Sequence, residues 1–184
     1  MFYSSLFVEH KGFTLVEMMV SMLIFSIIVG VVTGLFVSAI RLQKYNLAYQ
    51  QLLNQTSYAM EYMARAIRMA RKDDGTCGFS GKNYQWTDNS IEFQTYDGEC
   101  QTFYLDLGNG LIKATKTGEN GYNDIPLTSD NFRVKSLNFK VSGDDPGDGF
   151  QPRVTIFIEI EGRGRSPQPR IEIQTTISQR NFDI

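Results

Sequence analysis

The feature that most constrains this chain is an uninterrupted apolar stretch near its N-terminus. Residues 18–40 form 23 consecutive positions without a charged side chain. As a helix rising about 1.5 Å per residue, such a stretch crosses a hydrocarbon core about 30 Å thick. Its hydroxyl side chains suit lipid, because each can bond to the preceding helical turn. They are Ser21, Ser26, Thr33 and Ser38. We therefore expect one membrane-spanning helix.

A single carboxylate, Glu17, directly precedes this stretch, in the run Lys11-Gly12-Phe13-Thr14-Leu15-Val16-Glu17. An unpaired charge in an apolar helix is costly, so this carboxylate needs a cationic partner. The next basic residue toward the C-terminus is Arg41, too far along a helix to reach it. One remaining source is a free α-amine at Phe13, made by cleavage after Gly12, in the same chain or in a neighbouring one.

The string KGFTLVEMMVSMLIFSIIVG closely resembles the class III signal sequence of type IV pilins and type II secretion pseudopilins. The resemblance covers about residues 11–40. It combines a Lys-Gly cleavage site, Phe at the new N-terminus, Glu at the fifth mature position and a long apolar helix. It implies that a prepilin peptidase cuts between Gly12 and Phe13 and methylates the Phe13 amine. It also implies that Glu17 pairs with the Phe13 amine of a neighbouring subunit.

The same resemblance implies a topology and a set of partners. Residues 1–12 would be a cytoplasmic leader that is removed. The chain would cross the cytoplasmic membrane once, with its N-terminus inside, and then join an extracellular or periplasmic filament. The implied partners are the lipid bilayer, the prepilin peptidase, other pilin or pseudopilin subunits and the inner-membrane assembly machinery. A narrower likeness, of residues 173–178 followed by Arg180-Asn181, points to the J-type or W-type minor subunits.

Other kinds of N-terminal signal also contain an apolar helix. A plain signal anchor would explain the apolar stretch, and a secretory signal peptide would be cut near Val37-Ser38-Ala39. The signal peptide is disfavoured because the stretch exceeds the usual apolar region of about 7–15 residues and leaves Glu17 unexplained. The alternative function is therefore a signal-anchored extracytoplasmic sensor or binding domain.

The helical pattern continues beyond the apolar stretch. Apolar residues recur at gaps of three and four over residues 42–70, with polar residues on the other faces. We expect one helix from about residue 13 to about residue 72, ended by Asp73-Asp74-Gly75. The part over 13–40 would lie in lipid or in a filament core, and the amphipathic part over 41–72 would pack on a globular head.

Two glycines in the apolar stretch, Gly30 and Gly34, have the small-xxx-small spacing that lets helices approach closely. They predict a helix-packing site. Two glycines that are merely tolerated in a membrane helix would give the same pattern.

Beyond residue 75 the pattern changes from helical to alternating, which predicts β-strands. About six strands are expected, at residues 91–95, 102–107, 111–115, 132–141, 153–161 and 170–178. Turn signals such as Asp97-Gly98 separate them. The predicted fold class is α+β, in which residues 73–184 form an antiparallel β-sheet head packed on the apolar stripe of the long helix.

Cys77 and Cys100 are the only cysteines, with 22 residues between them. Outside the cytoplasm a disulfide is the expected state, and the loop-closure model assigns it roughly 3 kcal/mol. A redox or metal pair is disfavoured, because the spacing is not CxxC and further ligands are lacking.

An acidic loop at residues 143–149 contains Asp144, Asp145 and Asp148. Three carboxylates on a turn-rich loop suit Ca²⁺, which prefers oxygen ligands, although the spacing does not match an EF-hand. A solvated β-turn loop is the competing interpretation. Calcium is the only cofactor that the sequence suggests.

A basic loop contains Arg163, Arg165 and Arg170, which raises the question of nucleic-acid binding. The chain carries a net charge of +4 through residue 72 and −6 beyond it. An acidic head without aromatic residues in the basic loop argues against a polyanion ligand. Nucleic acid is therefore not an expected partner.

The composition excludes many enzyme classes. The only histidine is His10, which lies in the predicted leader. The mature chain would therefore lack an imidazole base and a histidine metal ligand. A hydrolase using Asp144 and Asp148 has no recognisable constellation in the sequence. We predict a structural filament subunit, of the minor kind, without catalytic activity.

Overall fold

The computed structural model describes residues 12–119, 121–145, 149–164 and 168–180. The chain divides into two compact units, Met1–Lys44 and Tyr45–Ile184. One helix, α1, runs from Leu15 to Arg68 and contributes to both units. It is uninterrupted because no proline occurs before Pro126.

In the first unit, α1 is exposed along its whole length. Every described residue through Lys44 is exposed, including large apolar side chains such as Leu35 and Phe36, at 67% and 65%. A helix that is apolar on all sides needs lipid or other helices around it. The long apolar N-terminal helix predicted from the sequence is confirmed.

In the second unit, α1 buries one stripe of side chains spaced three and four residues apart. The buried residues are Leu52, Thr56, Ala59, Met60, Met63 and Ile67. Tyr45 and Tyr49, expected in the same stripe, are 39% and 38% exposed. The amphipathic part therefore buries its stripe from Leu52 onward rather than from Leu42.

The helix ends at Arg68, four residues before the predicted end at Lys72. The amides of Met69 and Ala70 bond to carbonyls three residues back, at 3.1 and 3.2 Å, which tightens the last turn. The Arg71 amide then donates to the Gln94 carbonyl at 3.0 Å. The chain thus leaves the helix to pair with a strand, which the apolar spacing alone did not reveal.

The first sheet contains five antiparallel strands in chain order. They are β1 Tyr84–Thr87, β2 Ser90–Gln94, β3 Cys100–Asp106, β4 Leu111–Lys116 and β5 Tyr122–Pro126. The sequence predicts β2, β3 and β4 but not the two edge strands. β1 has only four residues, and β5 is polar and ends in a proline, so neither shows a clear alternation.

The second sheet contains three antiparallel strands in the order β6-β7-β8. They are β6 Phe132–Ser142, β7 Arg153–Gly162 and β8 Arg170–Ser178. The expected single sheet of about six strands is therefore wrong for the described residues, which form eight strands in two sheets. β5 pairs only with β4, and β6 begins a new sheet after the turn that follows Thr128.

The two sheets and the helix share one hydrophobic core. Phe93 of β2 contacts Tyr84 and Phe103, with ring centroids 6.3 and 5.6 Å away. The Tyr84 hydroxyl donates to the Ile67 carbonyl at 2.9 Å, so an edge strand is tied to the helix. The predicted α+β head, a β-sheet layer packed on the helix, is confirmed.

Two residues that follow β8 close the end of α1. The Arg180 amide donates to the Arg68 carbonyl at 2.9 Å. The Gln179 side-chain amide donates to the Ala70 carbonyl at 2.8 Å and to Asn83 Oδ1 at 3.0 Å. Carbonyls left without partners at a helix end are thus satisfied by a distant part of the chain.

Candidate processing and assembly site

The start of α1 is fixed by Thr14. Residues 12–14 are non-helical, and the Glu17 amide donates to Thr14 Oγ1 at 3.2 Å. The Met18 amide donates to the Thr14 carbonyl, also at 3.2 Å. Thr14 is therefore the N-cap of the helix. This role was not among the sequence predictions, although Thr-x-x-Glu before an apolar stretch is the signature of a capping box.

Glu17 lies in the first turn of α1 and is exposed. Its amide serves the cap, and its backbone carbonyl accepts a bond from the Ser21 hydroxyl at 2.7 Å. Within the described part of the chain, no ion pair involves its carboxylate. A carboxylate in the first helical turn is favoured by the helix dipole and is placed to accept an external cation. Phe13, whose amine is the proposed partner, is 77% exposed nearby.

The hydroxyl side chains in the apolar stretch bond within the helix, as predicted. Ser26 donates to the Met22 carbonyl and Thr33 to the Val29 carbonyl, each at 2.8 Å. Ser38 donates to the Gly34 carbonyl at 3.0 Å. These polar groups therefore present no unsatisfied donor to an apolar environment.

Gly30 and Gly34 lie one turn apart on α1. A Cβ atom built on either glycine would have no atom within 4 Å beyond the local backbone. No described residue of the chain thus occupies the shallow surface at these positions. A packing role with other helices stays a prediction.

The long helix and the head that follows it define a broad class of protein. By length and composition, α1 is long and apolar enough to cross a membrane, and none of its most apolar stretch is buried. It carries a capped start, a first-turn carboxylate and an α+β head. This arrangement is consistent with a membrane-anchored, single-pass protein.

One family model, the prokaryotic N-terminal methylation motif, matches residues 9–33. The match includes the predicted cleavage site at Gly12 and Phe13 as well as Glu17. The matched motif is a type IV pilin-like signal, and it covers only this N-terminal part of the chain. No curated protein and no solved structure gives a significant match to the chain. The narrower likeness to J-type or W-type subunits is not supported, because the match ends at residue 33, far from residues 173–178.

Cys77 and Cys100 form the predicted disulfide, with Cα atoms 5.6 Å apart. The loop that carries Cys77 is held by Asp73, which is only 3% exposed. Its carboxylate accepts the amides of Cys77 at 3.0 Å and Phe79 at 2.9 Å. The disulfide therefore joins an ordered loop to the first residue of β3.

Asp144 and Asp145 border an open polar cavity of about 660 Å³ that Lys82 and Trp86 also line. Asp144 Oδ1 accepts the Asn83 amide at 3.0 Å, so part of this carboxylate serves the fold. Asp148 lies outside the described residues. Within those residues no three acidic, cysteine or histidine side chains are grouped as metal ligands. Calcium binding by this loop stays a prediction.

The three arginines of the predicted basic loop differ in what the structure shows of their contacts. Arg170 pairs with Glu159 at 3.1 Å and with Glu172 at 2.8 Å. The hydrogen bond to Glu172 is the largest cause that raises the pKa of the Arg170 guanidinium, and the charge of Glu159 raises it further. Arg163 donates to the Asn109 carbonyl. Arg165 lies outside the described residues. Arg163 and Arg170 therefore both have structural partners within the head.

Proposed function

We propose that this chain is a structural subunit of a type IV pilus or of a type II secretion pseudopilus. The observation that carries the proposal is the methylation motif over residues 9–33, which includes the capped start of α1 and part of its exposed apolar stretch. An apolar helical stretch without buried side chains needs a surrounding partner, and both lipid and neighbouring helices satisfy that need. The β-rich head favours a minor subunit. No catalytic role is proposed.

Gly12, Phe13 and Glu17 each have a separate role in this proposal. A prepilin peptidase cuts between Gly12 and Phe13 on the cytoplasmic side and methylates the new amine. Glu17 then pairs with the Phe13 amine of a neighbouring subunit during docking. The exposure of both residues supports this pairing, because the Glu17 carboxylate makes no ion pair with any of the described residues.

The proposed topology follows from these roles. The leader is cytoplasmic, the chain crosses the cytoplasmic membrane once, and the disulfide-bonded head lies outside the cytoplasm, where disulfides persist. The subunit then enters an extracellular or periplasmic filament with other subunits and the inner-membrane assembly machinery. Calcium in the Asp144–Asp145 loop is a secondary proposal, to be tested by calorimetry with CaCl₂ on the purified protein.

The mass of the purified mature protein tests the proposed function directly. Loss of residues 1–12 together with the gain of one methyl group is the expected result. An intact N-terminus would instead favour a signal-anchored sensor or binding domain. A cut after Ala39 would identify a secretory signal peptide, and either of these results would overturn the proposal.

A further inference from the structure

We propose that Thr14 positions the Gly12–Phe13 peptide bond for cleavage by keeping that bond outside the helix. Thr14 is not itself a catalytic residue in this proposal. It acts by fixing where the helix begins. The inference rests on the proposed function, since it concerns the same processing step.

The hydrogen bonds at the helix start show how Thr14 acts. If the helix continued one residue further back, the Glu17 amide would donate to the Phe13 carbonyl. In the structure this amide donates to Thr14 Oγ1 instead, at 3.2 Å. The hydroxyl therefore takes the donor that backward extension requires. Residues 12 and 13 are exposed and non-helical as a result.

The chain also contains a second possible helix start, which the Thr14 cap disfavours. Gly12 is the next residue toward the N-terminus with an acceptable N-cap preference, since glycine and threonine rank similarly at this position. Without the Thr14 hydroxyl, the helix can start at Phe13 with Gly12 as its cap. That shift would place the Gly12–Phe13 bond in the first helical turn.

The position of this bond matters for hydrolysis. Water adds across the bond, so that the hydroxyl joins the Gly12 carbonyl carbon and the Phe13 nitrogen leaves as the amine. In a helix the Gly12 carbonyl would accept the Val16 amide, and the adjoining turn would restrict the approach to it. In the structure, a Cβ built on Gly12 meets no atom within 4 Å. No described residue therefore blocks the approach of an enzyme to this bond.

The mechanism predicts a specific kinetic pattern. A chain with a shifted helix start is a poor substrate until it returns to the open start, so its apparent KM rises while kcat stays unchanged. Loss of an N-cap side chain is worth about 1 kcal/mol, which corresponds to a roughly fivefold change in kcat/KM. If the peptidase instead contacted the threonine side chain directly, the cleavage efficiencies of the variants would not follow their N-cap preferences.

The test is cleavage of the full-length precursor, in detergent micelles, by a purified prepilin peptidase. Thr14→Val removes the cap with little change of shape, whereas Thr14→Ser and Thr14→Asn retain it. Thr33→Val is the matched control, because its hydroxyl bonds to Val29 inside the same helix, at 2.8 Å. The products are quantified by mass spectrometry over a range of precursor concentrations.

We expect Thr14→Val to be cleaved about fivefold less efficiently through KM alone, while the Ser, Asn and Thr33→Val variants behave like the unchanged chain. Equal cleavage of Thr14→Val would overturn the inference. Slow cleavage of the Ser and Asn variants would overturn it as well, since it would show that the peptidase reads the threonine itself. Failure to cleave the unchanged precursor would instead reject the proposed function.

Discussion

The parts of α1 in the two units belong to the same helix but meet different requirements. Over residues 15–44 no side chain is buried, whereas six are buried between Leu52 and Ile67. The first part satisfies its own hydrogen bonds and leaves its apolar side chains to an external partner. The second part is stabilised by the core of the head. A single helix can therefore combine an assembly surface with a structural support, and substitutions in the two parts should have separable effects.

The largest difference between the two parts is expected in filament incorporation, when one carboxylate is removed from each part. Glu17→Ala should reduce incorporation into filaments severely while leaving membrane insertion intact, because it removes the proposed partner of the Phe13 amine. Glu61→Ala removes an exposed carboxylate from the second part, where it pairs with Arg65 at 2.6 Å. Such an exposed pair contributes little, so incorporation should be unchanged. The readout is the amount of subunit in sheared filaments relative to membranes. Equal incorporation of Glu17→Ala and the unchanged chain would contradict the pairing role.

Two methionines offer a matched comparison of core packing. Met63 is fully buried in the second part, whereas Met22 is 65% exposed in the first. Met63→Ala should lower the free energy of unfolding of the head by about 2–5 kcal/mol, through lost burial and a cavity. Met22→Ala should leave that free energy unchanged. Urea denaturation in detergent, followed by the fluorescence of Trp86, measures both. Similar losses in the two variants would show that the first part also supports the head.

The disulfide should affect only the head. Replacement of Cys77 and Cys100 by serine is expected to cost about 3 kcal/mol of unfolding free energy, because the unfolded chain regains the freedom of the closed loop. Cleavage after Gly12 should proceed at the same rate, since both cysteines lie outside the first unit. Urea denaturation and the cleavage assay give the two readouts. Slowed cleavage would mean that head stability controls processing.

The smallest effect concerns the pH dependence of head stability, for which Asp106 in the second unit is the group to change. The Lys113 ammonium lies 2.7 Å from Asp106, and its hydrogen bond, with that of Asn109, lowers the pKa of Asp106 to about 2. A lowered folded-state pKa contributes stability above the unfolded pKa, about 3.9, and loses it as the pH falls through about 2.

Asp106→Asn should therefore lower the melting temperature slightly at pH 7, and the difference should shrink between about pH 4 and pH 2. Asp130→Asn changes the same charge at an exposed position that has no ion pair among the described residues. It is the matched control for the loss of one charge. Parallel melting curves for the two variants across this range would contradict the role of the Lys113 contact.

The sequence predicted the features that depend on local patterns. The apolar stretch, the first-turn carboxylate and the long strands β6, β7 and β8 each follow from periodicity or charge. The disulfide followed from compartment reasoning once the topology was assumed. The predicted cleavage site at Gly12 and Phe13 was identified because its motif is contiguous in the chain.

The parts that escaped prediction depend on pairing at a distance. Strand β5 forms because β4 offers it a partner, despite its polar side chains and Pro126. The exit of the chain from α1 after Arg68 depends on a bond from Arg71 to Gln94. The division into two sheets depends on which strands pair with each other, and the alternation of apolar and polar residues does not determine that pairing. Thr14 is the exception, since its capping signal was local and was overlooked.

The contact of Gln179 with the carbonyl of Ala70 has a consequence for the timing of folding. These residues are separated by 109 positions, and Arg180 makes a similar bond to Arg68. The helix reaches its end early in synthesis, but its closing partners emerge only after β8. Contacts so distant in sequence slow the search for the native state. The head is therefore expected to complete its folding after β8 has been synthesised, rather than strand by strand as the chain grows.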